Sequence, residues 1–548
     1  RTDADRTDAD RAVAARPVPR TRPDRIPLSP AQQRMWFLNR FDTSVGAYNI
    51  PLVIRLRGDL DVDALRRACA LVIDRHESLR TRFPMIDGAP CQVVVEAEEV
   101  APALVPIRTG EREVLERAVA VVSAGFDVTR EPPVRAELFA LGDRDHVLVI
   151  GVHHICADGQ SMLPLARDVA VAYEASRQGT QPDWPPLPLQ YADYALWQRE
   201  MLGDESDPDS LISRQLRFWT GALAGLPELL ELPTDRPRPP VASMHGSTLD
   251  FELSADLHAR VDALARAADA TVFMVLHAGL AVLLSKLAAV GDIAIGTPVA
   301  GRGDRELDDL IGMFVNTLVL RTRVAPRQEF EKLLAAVRDT DLAALAHADV
   351  PFEEIVEELN PRRSTAHMPL YQVTLDVQDL SAAALELAGL TVEPIEEGFD
   401  QARADLNVKL VPRRDADGRP GGMTGRLTYA ADLFVEQTMR RFARAFVGIL
   451  EQATANPAVA VDDIDIVAPD ERRRILSAAG TDGSAVPEQT LSELLSARAA
   501  AQPEAIAVSD GTAQLTYAEL DRRATRLAAR LAAHGARPET LVAVALPR

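Results

Sequence analysis

The sequence predicts an α/β protein made of two successive units, with part of a third behind a linker. Three observations carry this. At 548 residues the chain outgrows a single hydrophobic core, so about two to four domains are expected. Apolar residues at helical spacing alternate with short β-type runs through residues 26–465. Val147–His153 is an almost unbroken apolar run, the mark of a strand covered on both faces.

Residues 1–25 repeat Arg-Thr-Asp-Ala-Asp and continue in Pro and Arg, which reads as a solvated, disordered linker. Order is expected from Ile26, with Ser29 as N-cap and Pro30 at the first helical position. Pro51–Arg57 reads as a strand. Asp61 caps a helix whose Val62, Leu65, Cys69, Val72 and Ile73 share one face. A strand near Cys91–Val95 and a helix near Glu111–Ser123 lead to Val147–His153, and a helix follows from Ser161 to about Arg177. The Pro-rich run Gln181–Pro188 and a helix holding Tyr191–Glu200 lead out of this unit. Pro233–Pro240 reads as a surface connection.

The second unit opens with a strand at Thr248–Leu253, helices at Ala255–Ala268 and Thr271–Val290, and strands near Ile293–Val299 and Val315–Arg321. Helices Phe330–Ala346 and Phe352–Leu359 precede strands at Leu370–Val377, Leu406–Val411 and Gly425–Tyr429. A helix from Val435 to about Asn456 closes the unit. Val461–Pro469 and the polar stretch behind it read as a linker. In Leu491–Arg548 two amphipathic helical patterns are expected, around Ile506–Ser509 and Leu515–Tyr517, with an apparent strand at Val542–Leu546. A domain is not expected to finish there, so the chain reads as part of something longer.

Composition narrows the function classes. Apolar residues make up 47% and charged residues 26%, an ordinary globular balance. The net charge of −21 argues against a nucleic-acid backbone or an anionic membrane as partner. Cys69, Cys91 and Cys156 are too few and too scattered for a disulfide framework or a metal-ligand set, which fits a reducing cytoplasm. The first residues hold no apolar core, so a secretory signal is not expected among them. The most apolar helical run, Val272–Leu284, is too short to span a bilayer and reads as a buried helix.

The chemistry-bearing stretch is His153-His154-Ile-Cys-Ala-Asp158-Gly159-Gln160-Ser161. Alternation along a strand sends His153 and His154 to opposite faces, so one can be held internally while the other enters a cleft. Asp158, past the bend, can orient an imidazole or brace the loop. Taken alone, two adjacent histidines are more often core or surface residues than a catalytic pair. Cys156 beside them reads as a small buried hydrophobe rather than a nucleophile. Arg75, His76, Arg80 and Arg82 read as fold-supporting ion pairs at a helix end before they read as a phosphate site. Trp36, Trp197 and Trp219 are most simply core or lobe-interface aromatics.

The His-His-x-x-x-Asp-Gly pattern resembles the active-site motif of condensation domains from nonribosomal peptide synthetases, within the chloramphenicol acetyltransferase-like superfamily. Six further stretches resemble the family's other signatures, in family order: Ser29–Trp36, Arg75–Phe83, Tyr191–Gln198, Ile295–Arg302 with Ile311–Leu318, Asp349–Glu353, and His367–Val373. Gln502–Val508 with Leu515–Leu520 resembles the opening of an adenylation domain, whose Gly-rich phosphate loop is not reached. No Gly-Gly-x-Ser carrier motif is present.

The resemblance implies two acetyltransferase-like α/β lobes in a V shape, residues 26–200 and 201–465, then a linker at 466–490 and the start of an adenylation domain at 491–548. Donor and acceptor thioesters would arrive on the 4'-phosphopantetheine of upstream and downstream carrier proteins, and the acceptor amine would attack the donor thioester. No cofactor or metal is implied for this chain. His154 is the implied general base or amine-positioning acceptor, with His153 supporting its strand. Asp158 would make a structural ion pair, with Arg302 its candidate partner by analogy with the family, and the Gly159 N–H would face the oxyanion. Asn316 would line the tunnel or hold a strand end. Gln160 stands where the family often has Trp, which would alter packing near the tunnel. Ser161–Asp168 and Glu358–Ser364 look like members that accept a donor ending in a D-residue. Two alternatives remain on the same fold, epimerisation of a carrier-bound residue and a non-catalytic platform recruiting carriers or tailoring enzymes. The run into an adenylation domain disfavours epimerisation, and an intact His-His-Asp-Gly disfavours the platform. Cyclising relatives carry aspartates in place of the histidines.

Overall fold

In the computed structural model, Ser29 caps as its position predicts: the Gln32 N–H donates to Ser29 Oγ at 3.1 Å. The structure describes residues 16–545 except 42, 44, 45, 47, 363, 379–384, 396–400, 416 and 479–488. Much of the two expected linkers, Arg363 and the chain's last residues therefore lie outside the described residues.

The first lobe comprises β1 (Ile26–Pro27), α1 (Pro30–Phe41), β2 (Asn49–Gly58), α2 (Val62–Arg75), β3 (Thr81–Arg82), β4 (Met85–Ile86), β5 (Ala89–Val94), β6 (Ile107–Arg108), α3 (Glu111–Ser123), β7 (Val134–Gly142), β8 (Asp145–His153), α4 (Met162–Gln178) and α5 (Tyr191–Leu202). Asp61 accepts from the Ala64 N–H at 2.8 Å and starts α2, which buries Leu65, Cys69, Val72 and Ile73. β8 is covered on both faces: Leu148, Ile150 and Val152 join one core, while Val147 and Val149 join a second under α3. That double burial is why its sequence lacks polar alternation.

The second lobe comprises α6 (Leu211–Ala222), β9 (Gly246–Leu253), α7 (Ala255–Ala267), α8 (Val272–Ala288), β10 (Asp292–Val299), β11 (Asn316–Arg323), α9 (Phe330–Leu345), α10 (Phe352–Leu359), β12 (Val373–Val377), β13 (Leu390–Pro394), β14 (Leu406–Arg414), β15 (Pro420–Ala430) and α11 (Glu436–Ala455). Its six-stranded sheet runs β11-β10-β12-β14-β15-β9, parallel where β12 meets β10 and β14 and antiparallel elsewhere. α8 is buried along most of its length, as its apolar sequence predicts. Among the described residues no single helix is long and apolar enough to cross a membrane.

The lobes are not separable at residue 200. β13 lies in the first lobe's five-stranded sheet, ordered β13-β2-β8-β7-β6, with Leu390 opposite Gly58. Leu307, Leu310, Ile311, Met313 and Phe314 likewise pack into the first lobe's core. The expected 201–465 lobe therefore sends two segments across.

Close packing marks the second crossing. The Tyr191 hydroxyl donates to the Met313 carbonyl at 2.6 Å and lies 2.8 Å from Ser29 Oγ. A Cβ on Gly312 would fall 1.9 Å from the Tyr191 ring, and Gly301 takes φ +63 with its Cβ position 2.0 Å from the Phe314 oxygen. Gly312→Ala is expected to destabilise the fold by roughly 1–3 kcal/mol through displacement of Tyr191, read as a lower urea midpoint at unchanged slope.

Four sequence expectations change. Residues 16–25 are not a free linker, because Arg22 donates to Glu77 at 2.8 Å and to Asp193 at 3.1 and 3.2 Å. Val461 and Ile464 are buried in the second lobe's core, and α12 (Pro469–Ala478) follows, so Val461–Pro469 is not wholly linker. A second compact unit begins at Pro469. In it α13 (Leu491–Ala501) precedes β16 (Ile506–Ser509) and β17 (Gln514–Thr516), an antiparallel hairpin turning at Gly511 (φ +87), before α14 (Tyr517–Ala533). Ile506–Ser509 is thus a strand, not a helix, since Asp510-Gly511 supplies a turn. Residues 541–545 form no strand among the described residues.

Candidate active site

The two histidines part where β8 ends. His153, its last residue, is 2% exposed, and its Nδ1 accepts the Ile155 N–H at 3.1 Å. That bond places its ring proton on Nε2. His154 is held through its backbone, its N–H donating to the Tyr48 carbonyl at 2.8 Å. Its side chain lines a cavity of about 1640 Å³ whose walls come from both lobes of the first unit. Its Nδ1 is enclosed and makes no hydrogen bond with the described residues. The Gln32 side chain donates to the Ile155 carbonyl at 3.3 Å and ties α1 to this turn.

Both rings are held neutral. Burial, then the charge of Arg403, lowers His153 from 6.5 to about 4. Burial also drives His154 well below 6.5, with Arg403, His153 and Arg34 adding to it. Arg403 reaches into the cavity over the Tyr48 ring, 4.9 Å from its centroid. Because the folded His153 binds its proton less tightly than the unfolded one, stability is full above pH 6.5 and falls as pH drops towards 4. The loss attached to His153 is expected to reach ~3 kcal/mol. His153→Asn, which keeps an acceptor for Ile155, is expected to flatten that part of a pH series of urea denaturations.

Asp158 does not face the cavity chemistry. Buried at 2% exposure, it accepts on Oδ1 from the Ser161 N–H (2.8 Å), the Ser161 hydroxyl (2.7 Å) and Arg302 (3.3 Å). On Oδ2 it accepts from the Phe314 and Val315 N–H groups at 3.0 and 3.2 Å. Ser161 Oγ takes further N–H bonds from Gly312 (3.1 Å) and Arg302 (3.0 Å). Arg302 also donates to the Leu310 carbonyl at 2.8 Å and lies over the Phe314 ring at 4.1 Å. Asp158, Ser161 and Arg302 thus bind the turn after the histidines to the segment crossing from the second lobe.

The remaining candidates separate. Gly159 lines the cavity, with open space at its Cβ position and no left-handed φ, so steric need does not explain this glycine. Gln160 is exposed and is not among the cavity's lining residues, which removes it from the tunnel wall. Asn316 lines the cavity, yet its amide is occupied: it donates to the Ala348 and Val350 carbonyls (3.0 and 2.8 Å) and accepts from the Phe352 N–H (3.0 Å). Cys156 is fully buried with its thiol pKa pushed up by burial, and is expected to resist alkylation in the native state. Asp168 takes Arg75 at 2.8 Å and His76 at 2.9 Å, so that pair is structural.

Sequence reasoning gave no role to Arg403 or to Arg34, which pairs with Glu353 at 2.5 Å across the lobes. Arg34 stood in a quoted signature, but no spacing connects Arg403 to His154. Among the described residues no group of three or more His, Cys, Asp or Glu side chains is placed to hold a metal ion.

Comparison with known proteins places this geometry. Residues 23–476 match the Condensation domain family and residues 495–548 the AMP-binding enzyme family. The chain is 47% identical over 531 residues to a probable non-canonical nonribosomal peptide synthetase, CymA, of Salinispora arenicola, covering 97% of this chain and 7% of that protein. It is 44% identical over 527 residues to a dimodular nonribosomal peptide synthase of Bacillus subtilis, covering 96% and 22%. The chain therefore spans a small part of these relatives. Among solved structures, the X-domain from teicoplanin biosynthesis is similar with a TM-score of 0.77 and 38% identity, covering 82% of this chain and all of that one. The chain belongs to the Condensation domain family, the peptide-bond-forming acyltransferases of nonribosomal peptide synthetases, and runs on into the start of an AMP-binding enzyme domain.

Proposed function

We propose that this chain joins a donor peptidyl or aminoacyl thioester to the amine of an acceptor aminoacyl thioester, both carried on phosphopantetheinylated carrier proteins. The observation that carries the reading is His154: a ring held neutral on the wall of a cavity shared by both lobes. The acceptor amine forms a C–N bond to the donor carbonyl, the C–S bond breaks, and the amine's proton passes through His154 or past it to the departing thiolate. A neutral imidazole suits both the base and the amine-positioning role. Gly159, at the cavity wall, supplies a backbone N–H for the oxyanion in this proposal. Asp158, His153, Ser161 and Arg302 hold the site rather than act on substrate. The adenylation domain beginning after residue 490 would load the downstream carrier.

For donor stereochemistry, the resemblance of Ser161–Asp168 supports a donor ending in a D-residue. Single-turnover assays with D- and L-ended donor carriers test this. A rate at least tenfold higher for the D form is expected from diastereomeric discrimination in a shaped site, and equal rates would remove it.

One observation favours a recruitment platform instead: the likeness to an X-domain that is described in complex with OxyB. Carrier binding without product from any loaded pair would favour that reading.

A further inference from the structure

Alternation along three strands gives the second lobe's sheet two different faces. Val373 and Leu375 of β12, Leu406, Val408 and Leu410 of β14, and Leu427 and Tyr429 of β15 enter the hydrophobic core. The residues between them, Thr374, Asp376, Asn407 and Thr428, line the cavity that His154 also lines. Strand register sets Thr374 opposite Asn407 and Asn407 opposite Thr428, so this wall is a continuous polar row.

Its hydrogen bonds leave acceptors over. The Asn407 amide N–H donates to Thr374 Oγ1 at 2.7 Å, and no described residue of the row donates to the Asn407 side-chain carbonyl oxygen. Gln378 donates to Asp376 Oδ2 at 2.6 Å, and no described side chain bonds Oδ1. Lys409, the cross-strand neighbour of Asp376, acts on it through its charge but makes no side-chain hydrogen bond to it among the described residues. Two acceptor oxygens on adjacent strands, one of them a carboxylate, therefore face a cavity whose other wall carries His154. Resting on the peptide-bond-forming function above, we propose that this row is a side-chain subsite selecting an N–H-bearing, preferentially cationic, side chain on one of the two reacting aminoacyl groups. Burial raises Asp376 to about 6, against the pull of Lys409 and Gln378, so the carboxylate is under-solvated and gains from a bound cation. An apolar side chain of the same length would leave both acceptors unpaired.

The test is equilibrium binding of stable pantetheine amides of ornithine, glutamine and norleucine to the full chain, followed by turnover with the same residues on donor and acceptor carriers. Wild type is expected to bind the ornithine amide about tenfold more tightly than norleucine, with glutamine between. Asp376→Asn is expected to bring ornithine down to the glutamine level. Asn407→Ser, which keeps the strand polar, is expected to weaken both relative to norleucine. Unchanged thermal midpoints in the two variants confirm folding. Norleucine binding as tightly as ornithine in wild type, or the same rank order in Asp376→Asn, overturns the subsite. Ornithine-selective binding with no turnover by any pair keeps the subsite and sinks the proposed reaction.

Discussion

Replacing His154 by alanine is expected to lower the single-turnover rate of dipeptide formation by about 10²–10⁴-fold, the usual span for loss of one proton-handling or positioning group. Loaded-carrier affinity should stay unchanged, because the His154 backbone is anchored by its N–H bond to the Tyr48 carbonyl and its Nδ1 makes no hydrogen bond with the described residues. His154→Gln separates the two roles. An amide can accept a hydrogen bond from the amine but cannot take its proton, so substantial retention of rate points to positioning and full loss to base catalysis. The pH profile adds a second readout. Burial and Arg403 hold the imidazole pKa below 6.5, so the protonated, inactive form is populated only at lower pH. The wild-type rate attached to this group is therefore expected to hold from pH 7 to 6.5 and to decline only below that.

The second large effect is on folding rather than chemistry. Asp158→Ala removes the acceptor for five donors and leaves Arg302, 4% exposed, with an uncompensated charge. Breaking such a buried pair costs roughly 3–5 kcal/mol. Urea denaturation should show that loss, together with a lower cooperativity slope if the segment carrying Phe314 detaches from the first lobe. Asp158→Asn, which retains one acceptor oxygen, should lose less. If Asp158→Ala keeps wild-type stability but loses turnover, Asp158 acts on substrate and the assignment to support is wrong.

Much of this architecture could be read from local pattern. Asp61 and Ser29 announced their helices as caps, and the apolar run before His153 announced a strand buried on both faces. α6 was equally legible, with Ser210 as cap and Ile212, Gln215 and Trp219 on its buried face, although no helix is assigned there from the sequence. β13 was not legible. Its five residues gain stability only by pairing with β2, far away in sequence, and nothing local signals that partner. The hairpin at Ile506–Ser509 was misread because a short apolar run fits either period, and Gly511 decided it. In the site, His153, His154 and Asp158 stood out as a motif, whereas the polar row of Thr374, Asp376 and Asn407 looks from sequence like ordinary strand alternation. Only the cavity on that face of the sheet gives it meaning.

In the proposed reaction the neutral His154 imidazole on the cavity wall serves peptide-bond formation. Intact-protein mass spectrometry of the acceptor carrier tests it most directly, after wild type or His154→Ala is mixed with donor-loaded and acceptor-loaded carriers. The account predicts a dipeptidyl mass on the acceptor carrier and free thiol on the donor carrier with wild type, and unreacted loaded carriers with His154→Ala over the same interval. Equal product from both proteins would contradict it.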